Sequence, residues 1–203
     1  DDVWLPRKLE VQLERTERAG AEWSYTRYEH MDAEGRPLPW RSGAWRELSG
    51  RIALPLISME MAVCICTVMV ERRLFETVGG FDESPGLRED LDLMLRLAVA
   101  ADAVAVPEML VQIREHEGRS TRAFADPFER TLAAYDRAAR RVRDRELRPV
   151  LRRQRARLCV EAAAHRLKGR RFFRGLHLLT RAALLRARPR EIAWALFRGD
   201  RPA

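Results

Sequence analysis

Asp1 and Asp2 open the chain as adjacent carboxylates, followed at once by Val3-Trp4-Leu5-Pro6. Two carboxylates on a loop can ligate a hard divalent cation, which can in turn hold phosphate oxygens. The same pair could simply cap the helix that follows, and spacing alone favours the cap. Glu89 and Asp90 pose the same choice further along. They begin a helix after a Gly/Pro-containing loop, where the helix dipole stabilises an anion. An ionised carboxylate there can act as a general base, given a proton within hydrogen-bond reach, or serve only as a capping acid. Arg114 and His116 stand just past a predicted strand in Ile-Arg-Glu-His-Glu-Gly. A histidine beside an arginine at a strand end can contact a metal or a diphosphate, whereas a lone one reads as an exposed loop residue.

The other candidates carry less chemistry. His30, His165 and His177 show no metal-ligand or acidic spacing and read as structural or solvated. Cys64 and Cys66 fall in a predicted strand and would share a face, but no second Cys/His pair accompanies them, so a zinc site is not expected. Cys159 reads as helix packing.

Elements must position these groups. Residues 5–19 predict a helix with Leu9 and Leu13 on one face and Gly20 as the stop. The alternating, aromatic-bearing run 21–28 predicts a strand, Asp32 to Gly35 a turn, and Arg36 to Trp40 a returning strand. A short helix and loop are expected between Trp45 and Leu56. Cys64 to Val70 predicts a buried strand, and Glu71 to Val78 a short helix stopped by Gly79-Gly80. Phe81 to Gly86 reads as a loop, and Arg88 to Ala100 as an amphipathic helix with Leu91, Leu95 and Ala98 on one face. Ala103 to Val106 and Met109 to Arg114 predict two short strands. After Asp126-Pro127, residues 128–145, 148–168, 171–187 and 189–198 all predict helices, with Pro127, Pro149 and Pro189 near their starts.

Composition bounds the answer. The 203 residues are 46% hydrophobic and 33% charged, enough to bury a sizeable core. Three cysteines rule out a disulfide scaffold and fit a reducing compartment. No run approaches the roughly 18 consecutive apolar residues of a membrane-spanning helix. The net charge of +8 hides an asymmetry. Residues 1–126 hold 16 basic against 23 acidic side chains, a net −7, while residues 127–203 hold 22 against 7, a net +15. The chain thus divides into an acidic α/β part, 1–126, and a basic all-α extension, 127–203. The basic helices suit an anionic membrane surface. Nucleic acid is the less expected partner, because no helix-turn-helix, zinc-finger or RNP motif appears and the arginine run at 137–157 has no interleaved aromatics. A solvated face on a helical bundle accounts for the charge equally well.

The order of the signals narrows the reading. Asp1-Asp-Val-Trp-Leu-Pro-Arg-Lys-Leu-Glu10, then Thr67-Val-Met-Val-Glu-Arg-Arg-Leu-Phe-Glu-Thr-Val-Gly-Gly-Phe-Asp-Glu83, then Arg88-Glu-Asp-Leu-Asp-Leu-Met-Leu-Arg-Leu-Ala98, then Arg114-Glu-His116 resembles the second half of family 2 glycosyltransferases, over about residues 1–122. Two departures stand out: Ile113 where an aromatic often precedes the arginine, and Glu71 where a polar or basic residue commonly follows the strand.

The resemblance implies an incomplete GT-A fold, a Rossmann-like α/β sandwich followed by the helical extension. The chain opens without Met, and the nucleotide-base half is expected ahead of Asp1; a fragment lacking it is expected to be inactive alone. The resemblance implies that Asp1 is the last metal-ligating Asp of a D-x-D motif, that Asp2 follows it on the substrate side, and that His116 approaches the metal and diphosphate. It implies Asp90 as the catalytic base, with Glu89 and Arg114 as substrate-binding neighbours. Gly80, Phe81 and Asp82 match the loop that shapes the acceptor side. The implied cofactor is a divalent cation, magnesium or manganese. The implied partners are a nucleotide-sugar donor and a sugar, lipid-linked or other hydroxyl acceptor of the cell envelope, and the implied location is cytoplasmic, peripheral at the inner face of the membrane. A different class stays open: a non-catalytic α/β scaffold whose basic tail binds an anionic membrane or nucleic acid.

Overall fold

The computed structural model describes residues 1–38, 45–83, 88–117, 127–169 and 171–197. Its contacts divide the chain into two compact units, Asp1–Asp82 with Leu93–Ala125, and Glu83–Asp92 with Asp126–Ala203. Among the described residues, no helix is long and apolar enough to cross a membrane.

The first unit is built on a four-stranded sheet of β1 (Val3–Trp4), β2 (Trp23–Met31), β3 (Val68–Val70) and β4 (Ala103–Arg114), in the order β1-β4-β2-β3. β2 and β4 are parallel, while β1 pairs with β4 and β3 with β2 antiparallel. The first half of the parallel pair is covered on both faces, with β2 buried from Trp23 to Thr26 before Arg27 turns to solvent. Trp23, Tyr25, Val106, Val111 and Ile113 are buried. The sequence predicts two strands around Pro107, but β4 is one strand. Proline has no N–H for the ladder, and the register opposite it slips between Thr26 and Arg27 and again between Arg27 and Tyr28.

Helices α1 (Lys8–Ala19), α2 (Ala53–Ile57), α3 (Arg72–Thr77) and α4 (Glu89–Ala100) complete the α/β part. Gly20 ends α1 in the left-handed conformation, φ 62°, as expected from its position. The face of α1 that Leu9 and Leu13 share looks outward. Leu9 and Leu13 are exposed, and Lys8, Val11, Gln12 and Thr16 point inward. A polar ladder makes this possible: Lys8 Nζ donates to Gln12 Oε1 at 2.8 Å, and Gln12 Nε2 donates to the carbonyls of Ser24 and Thr67. Gln12 thus pairs both its amide oxygen and its amide nitrogen in the interior, as buried polar groups must.

Other expectations also change. Cys64 to Val70 is not one buried strand: Ile65–Thr67 forms a 3-10 turn before β3, and both cysteines are half-buried. The return after the Asp32 turn is a single bridge between Met31 and Pro37, with residues 39 and 40 of the predicted strand outside the described residues. The turn itself is closed by the Asp32 carboxylate, which accepts from the Glu34 and Arg36 N–H groups. Residues 84–86 of the predicted Phe81 loop also lie outside the described residues.

The second unit contains α5 (Pro127–Arg141), α6 (Leu147–Lys168), α7 (Phe172–Leu184) and α8 (Pro189–Phe197). Tyr135, Leu151, Cys159, Ala162, Ala163 and Ala182 form its interior. Asp136 on α5 ties the layers together, with Oδ1 2.7 Å from Arg155 Nε on α6 and Oδ2 in contact with Arg181 Nη2 on α7. Residues 83–92, which carry the first turn of α4, group with these helices.

Candidate functional site

The parallel strands set the site. β2 and β4 end side by side at Met31 and Arg114, and ligands of open parallel sheets sit beyond such carboxyl ends. β1 runs antiparallel to β4 with Val3 opposite Gln112, which delivers Asp1 and Asp2 to the same end. The Arg114 N–H donates to Asp2 Oδ1 at 3.0 Å. The Arg114 guanidinium donates to three carbonyls: Asp1 at 3.1 Å, Asp32 at 3.4 Å and Ala33 at 2.7 Å. Two residues on, His116 Nε2 meets Asp1 Oδ2. The Asp1 carboxylate is about half exposed and the His116 ring about one-third, so the pair is open to solvent.

Four candidates named from sequence, Asp1, Asp2, Arg114 and His116, are therefore neighbours. The alternative in which the opening acids cap a helix fails: Arg7 is the N-cap residue of α1, no side chain caps it, and β1 intervenes. Arg114 acts mainly on the protein's own backbone. Its planar fork holds the strand end, the chain start and the Asp32 turn in one place.

Sequence reasoning missed a second pair at this end. His30 Nδ1 lies 2.9 Å from Glu115 Oε1, with both side chains largely buried, and the His30 ring meets Tyr28 edge-on at 5.6 Å. Only the β2–β4 register brings residues 30 and 115 together, so spacing along the chain carries no signal of it. Behind Asp2 lie the two thiols, with Cys64 Sγ and Cys66 Sγ 3.3 Å apart. The Cys66 thiol is held well above its ordinary pKa, first by its contact with Cys64, then by burial and by the nearby Asp2 carboxylate.

Among the described residues, no group of three or more His, Cys, Asp or Glu side chains is placed to hold a metal. Asp1 and His116 are a two-donor set, one hard oxygen and one imidazole nitrogen, with solvent access. Such a set suits a divalent cation that keeps other positions for water or substrate oxygens.

Gly80, Phe81 and Asp82 follow α3. Gly79 and Gly80 both have positive φ, 88° and 60°, and Arg96 on α4 donates to the carbonyl of Val78 at 2.6 Å just before the turn. Phe81 is exposed and packs edge-on against Phe75. Glu89 and Asp90 fall in the second unit, in the first turn of α4. Asp90 Oδ2 lies 3.4 Å from Arg88 Nη2 and Glu89 Oε2 4.0 Å from Arg130 Nη2.

No protein-family model matches the chain. Over 132 residues it is 24% identical to an uncharacterised glycosyltransferase of Rickettsia typhi, an alignment covering 64% of this chain and 42% of that protein. Its fold is similar to the crystal structure of S. aureus TarS 1-349 in complex with UDP-GlcNAc, with a TM-score of 0.53 and 12% identity over 83% of this chain and 47% of that one. The chain spans less than half the length of either protein. It is glycosyltransferase-like in sequence and in its mixed α/β fold.

Proposed function

We propose that the chain carries the acceptor-side part of an inverting, family 2, GT-A-type glycosyltransferase. The observation that carries this reading is the Asp1–His116 contact, fixed by Arg114 beyond the carboxyl ends of β2 and β4. Asp1 and His116 would hold magnesium or manganese. When bound, such a cation offsets the charge that develops on a departing diphosphate. Asp2 receives the Arg114 N–H and so keeps Asp1 at the strand end.

Asp90 takes the proton of the acceptor hydroxyl. That hydroxyl has a pKa far above neutrality, so attack on the anomeric carbon needs a base acting as the new C–O bond forms. The C–O bond to the diphosphate breaks as the nucleophile arrives from the opposite face, and the anomeric centre inverts. Asp90 sits in the first turn of α4, and Glu89 beside it is available to an acceptor hydroxyl. Gly80, Phe81 and Asp82 form the acceptor-side loop, with Phe81 offering an exposed ring for a sugar face. The donor class is a nucleotide-sugar, a reading supported by the UDP-GlcNAc held by the TarS structure. The acceptor is a sugar, lipid-linked or other hydroxyl, and the reaction sits on the cytoplasmic side, a reading in keeping with a chain that has only three cysteines.

The test is release of nucleoside diphosphate from a panel of nucleotide-sugars by the full gene product that contains these residues. Asp90→Asn is expected to abolish turnover while donor binding by calorimetry is kept. Asp1→Ala and His116→Ala are expected to weaken manganese binding. Turnover retained by Asp90→Asn rejects the base assignment, and manganese affinity unchanged in both other variants rejects the metal assignment.

A further inference from the structure

Helix α7 is apolar on two opposite faces, and only one of them is covered. Gly175, Leu178, Leu179 and Ala182 are buried. The opposite face presents Phe172, Phe173, Leu176, His177, Thr180 and Leu184, without one formally charged side chain. Phe173 is 93% exposed and Leu184 80%. A helix apolar nearly all round is normally enclosed on all sides. Scattered exposed apolar residues need no explanation, but a continuous stripe of two phenylalanines and two leucines on one helix marks an interaction surface.

The charges around the stripe say what covers it. Arg171, Arg174, Arg186, Arg188 and Arg190 are all exposed in and beside α7, and Glu191 is the one acid among residues 171–197. At the C-terminal end of α7, Leu185 lines a recess of about 400 Å³ with Arg148 and Arg152 on its wall. An adjoining recess is lined by Arg153, Arg186 and Arg188. Leu184, the last residue of the stripe, thus adjoins a set of guanidiniums suited to phosphate, while Phe172, Phe173 and Leu176 lie toward the other end of the helix beside the exposed Arg171 and Arg174.

We infer that α7 docks the helical unit on an anionic phospholipid surface. Phe172, Phe173, Leu176 and Leu184 enter the boundary between headgroups and acyl chains, and the arginines meet headgroup phosphates. A second copy of the chain fits less well, because burying one stripe on another would bring two arginine collars together. Nucleic acid would use the arginines but leave the phenylalanines and leucines without a role.

The test is co-sedimentation of the chain with vesicles of phosphatidylcholine and phosphatidylglycerol in equal parts, against pure phosphatidylcholine, across a salt series. Retention on the anionic vesicles and release by salt are expected. Phe173→Ser with Leu176→Ser touches only exposed side chains, and circular dichroism checks that the fold is kept. It is expected to weaken partition by about tenfold or more. Arg148→Gln with Arg152→Gln is expected to weaken it by about tenfold at low salt and to flatten the salt dependence. The inference is overturned if both vesicle types bind equally or not at all, or if the Phe173/Leu176 variant binds like the parent. It is equally overturned if that variant turns a dimer into a monomer in sedimentation equilibrium, or if oligonucleotides bind the chain and displace it from vesicles with no dependence on Phe173.

Discussion

Arg114 donates through Nε to the carbonyl of Asp1 at 3.1 Å, so the residue that ends β4 also fixes the residue that faces His116. Two further donations from its Nη1, to Asp32 and Ala33, brace the same guanidinium against the turn after β2. Lysine offers a point charge and cannot span three carbonyls. Arg114→Lys is therefore expected to lower stability by about 1 kcal/mol, the net worth of the bonds it fails to replace. It should also loosen the Asp1–His116 contact. The His116 imidazole proton shifts of this variant should move toward those of Asp1→Ala; shifts identical to the parent would show that Asp1 holds its place without Arg114.

The turn at Gly79-Gly80 is expected to be sensitive at both ends. A Cβ on Gly80 would come within 3.3 Å of the Phe75 ring, and φ there is 60°. Left-handed backbone costs a non-glycine residue about 1–2 kcal/mol, so Gly80→Ala should destabilise by at least about 1 kcal/mol. Arg96 is 7% exposed and holds the Val78 carbonyl, so Arg96→Met should cost about 2 kcal/mol through the unsatisfied carbonyl. Urea midpoints measure both. Equal midpoints for Gly80→Ala and the parent would mean that the loop carrying Phe81 and Asp82 adapts freely.

These positions also show what was legible in the sequence. The Val78-Gly79-Gly80-Phe81 stretch and the Glu89-Asp90 helix start are contiguous motifs whose backbone demands can be read directly. Asp1, Asp2, Arg114 and His116 could be named by residue type, but their meeting depends on β1 pairing with β4 at Val3 and Gln112. That Leu9 and Leu13 share a face of α1 is readable from their spacing, but which way that face looks is not. The fold instead buries Lys8, which is 1% exposed, with its ammonium over the Trp4 ring and its proton donated to Gln12. Burial holds that ammonium below its ordinary pKa. Such a ladder works only once Ser24 and Thr67 are in place to accept from Gln12, which no local pattern encodes. The His30–Glu115 pair escaped for the same reason.

Alkali should reveal Tyr25. Its ring is buried, and its hydroxyl lies 2.9 Å from the carbonyls of Arg46 and Leu48. Burial, and then the Glu47 charge, push its pKa from 10.0 up to about 12, against the pull of the Leu48 backbone contact. Between those two values the unfolded chain sheds the proton and the native one keeps it. The stabilisation is therefore full below pH 10.0 and is lost as pH rises toward about 12. A shift of this size is worth about 2–3 kcal/mol across the window. Tyr25→Phe should cost about 1 kcal/mol at neutral pH and remove that part of the alkaline loss. Urea midpoints of the two proteins at neutral pH and above pH 10.0 give the difference; parallel alkaline losses would reject the assignment to Tyr25.

Gly175 and Gly169 make a matched pair within the helical unit. A Cβ on Gly175 would lie 2.7 Å from Leu167 Cγ and 2.8 Å from its Cδ2, closer than real side chains approach. Leu167 is on α6 and Gly175 on α7, so the glycine sets how near the two helices can lie. Cγ is a branch point that cannot swing aside like a terminal methyl, and overpacking of this kind costs about 1–3 kcal/mol. Gly175→Val adds two further methyls to the clash, and its small gain in helix propensity does not offset them. It is expected to lower stability by about 2 kcal/mol. At Gly169 the backbone φ is −76° and the nearest atom to an added Cβ is the His165 carbonyl oxygen at 3.6 Å, ordinary contact. Gly169→Ala should therefore be neutral or stabilise by a few tenths of a kcal/mol through the unfolded chain. Thermal unfolding of both variants measures the contrast. Equal effects would mean that α6 and α7 are free to separate, which would also weaken the case that the inner face of α7 is fixed while its outer face binds elsewhere.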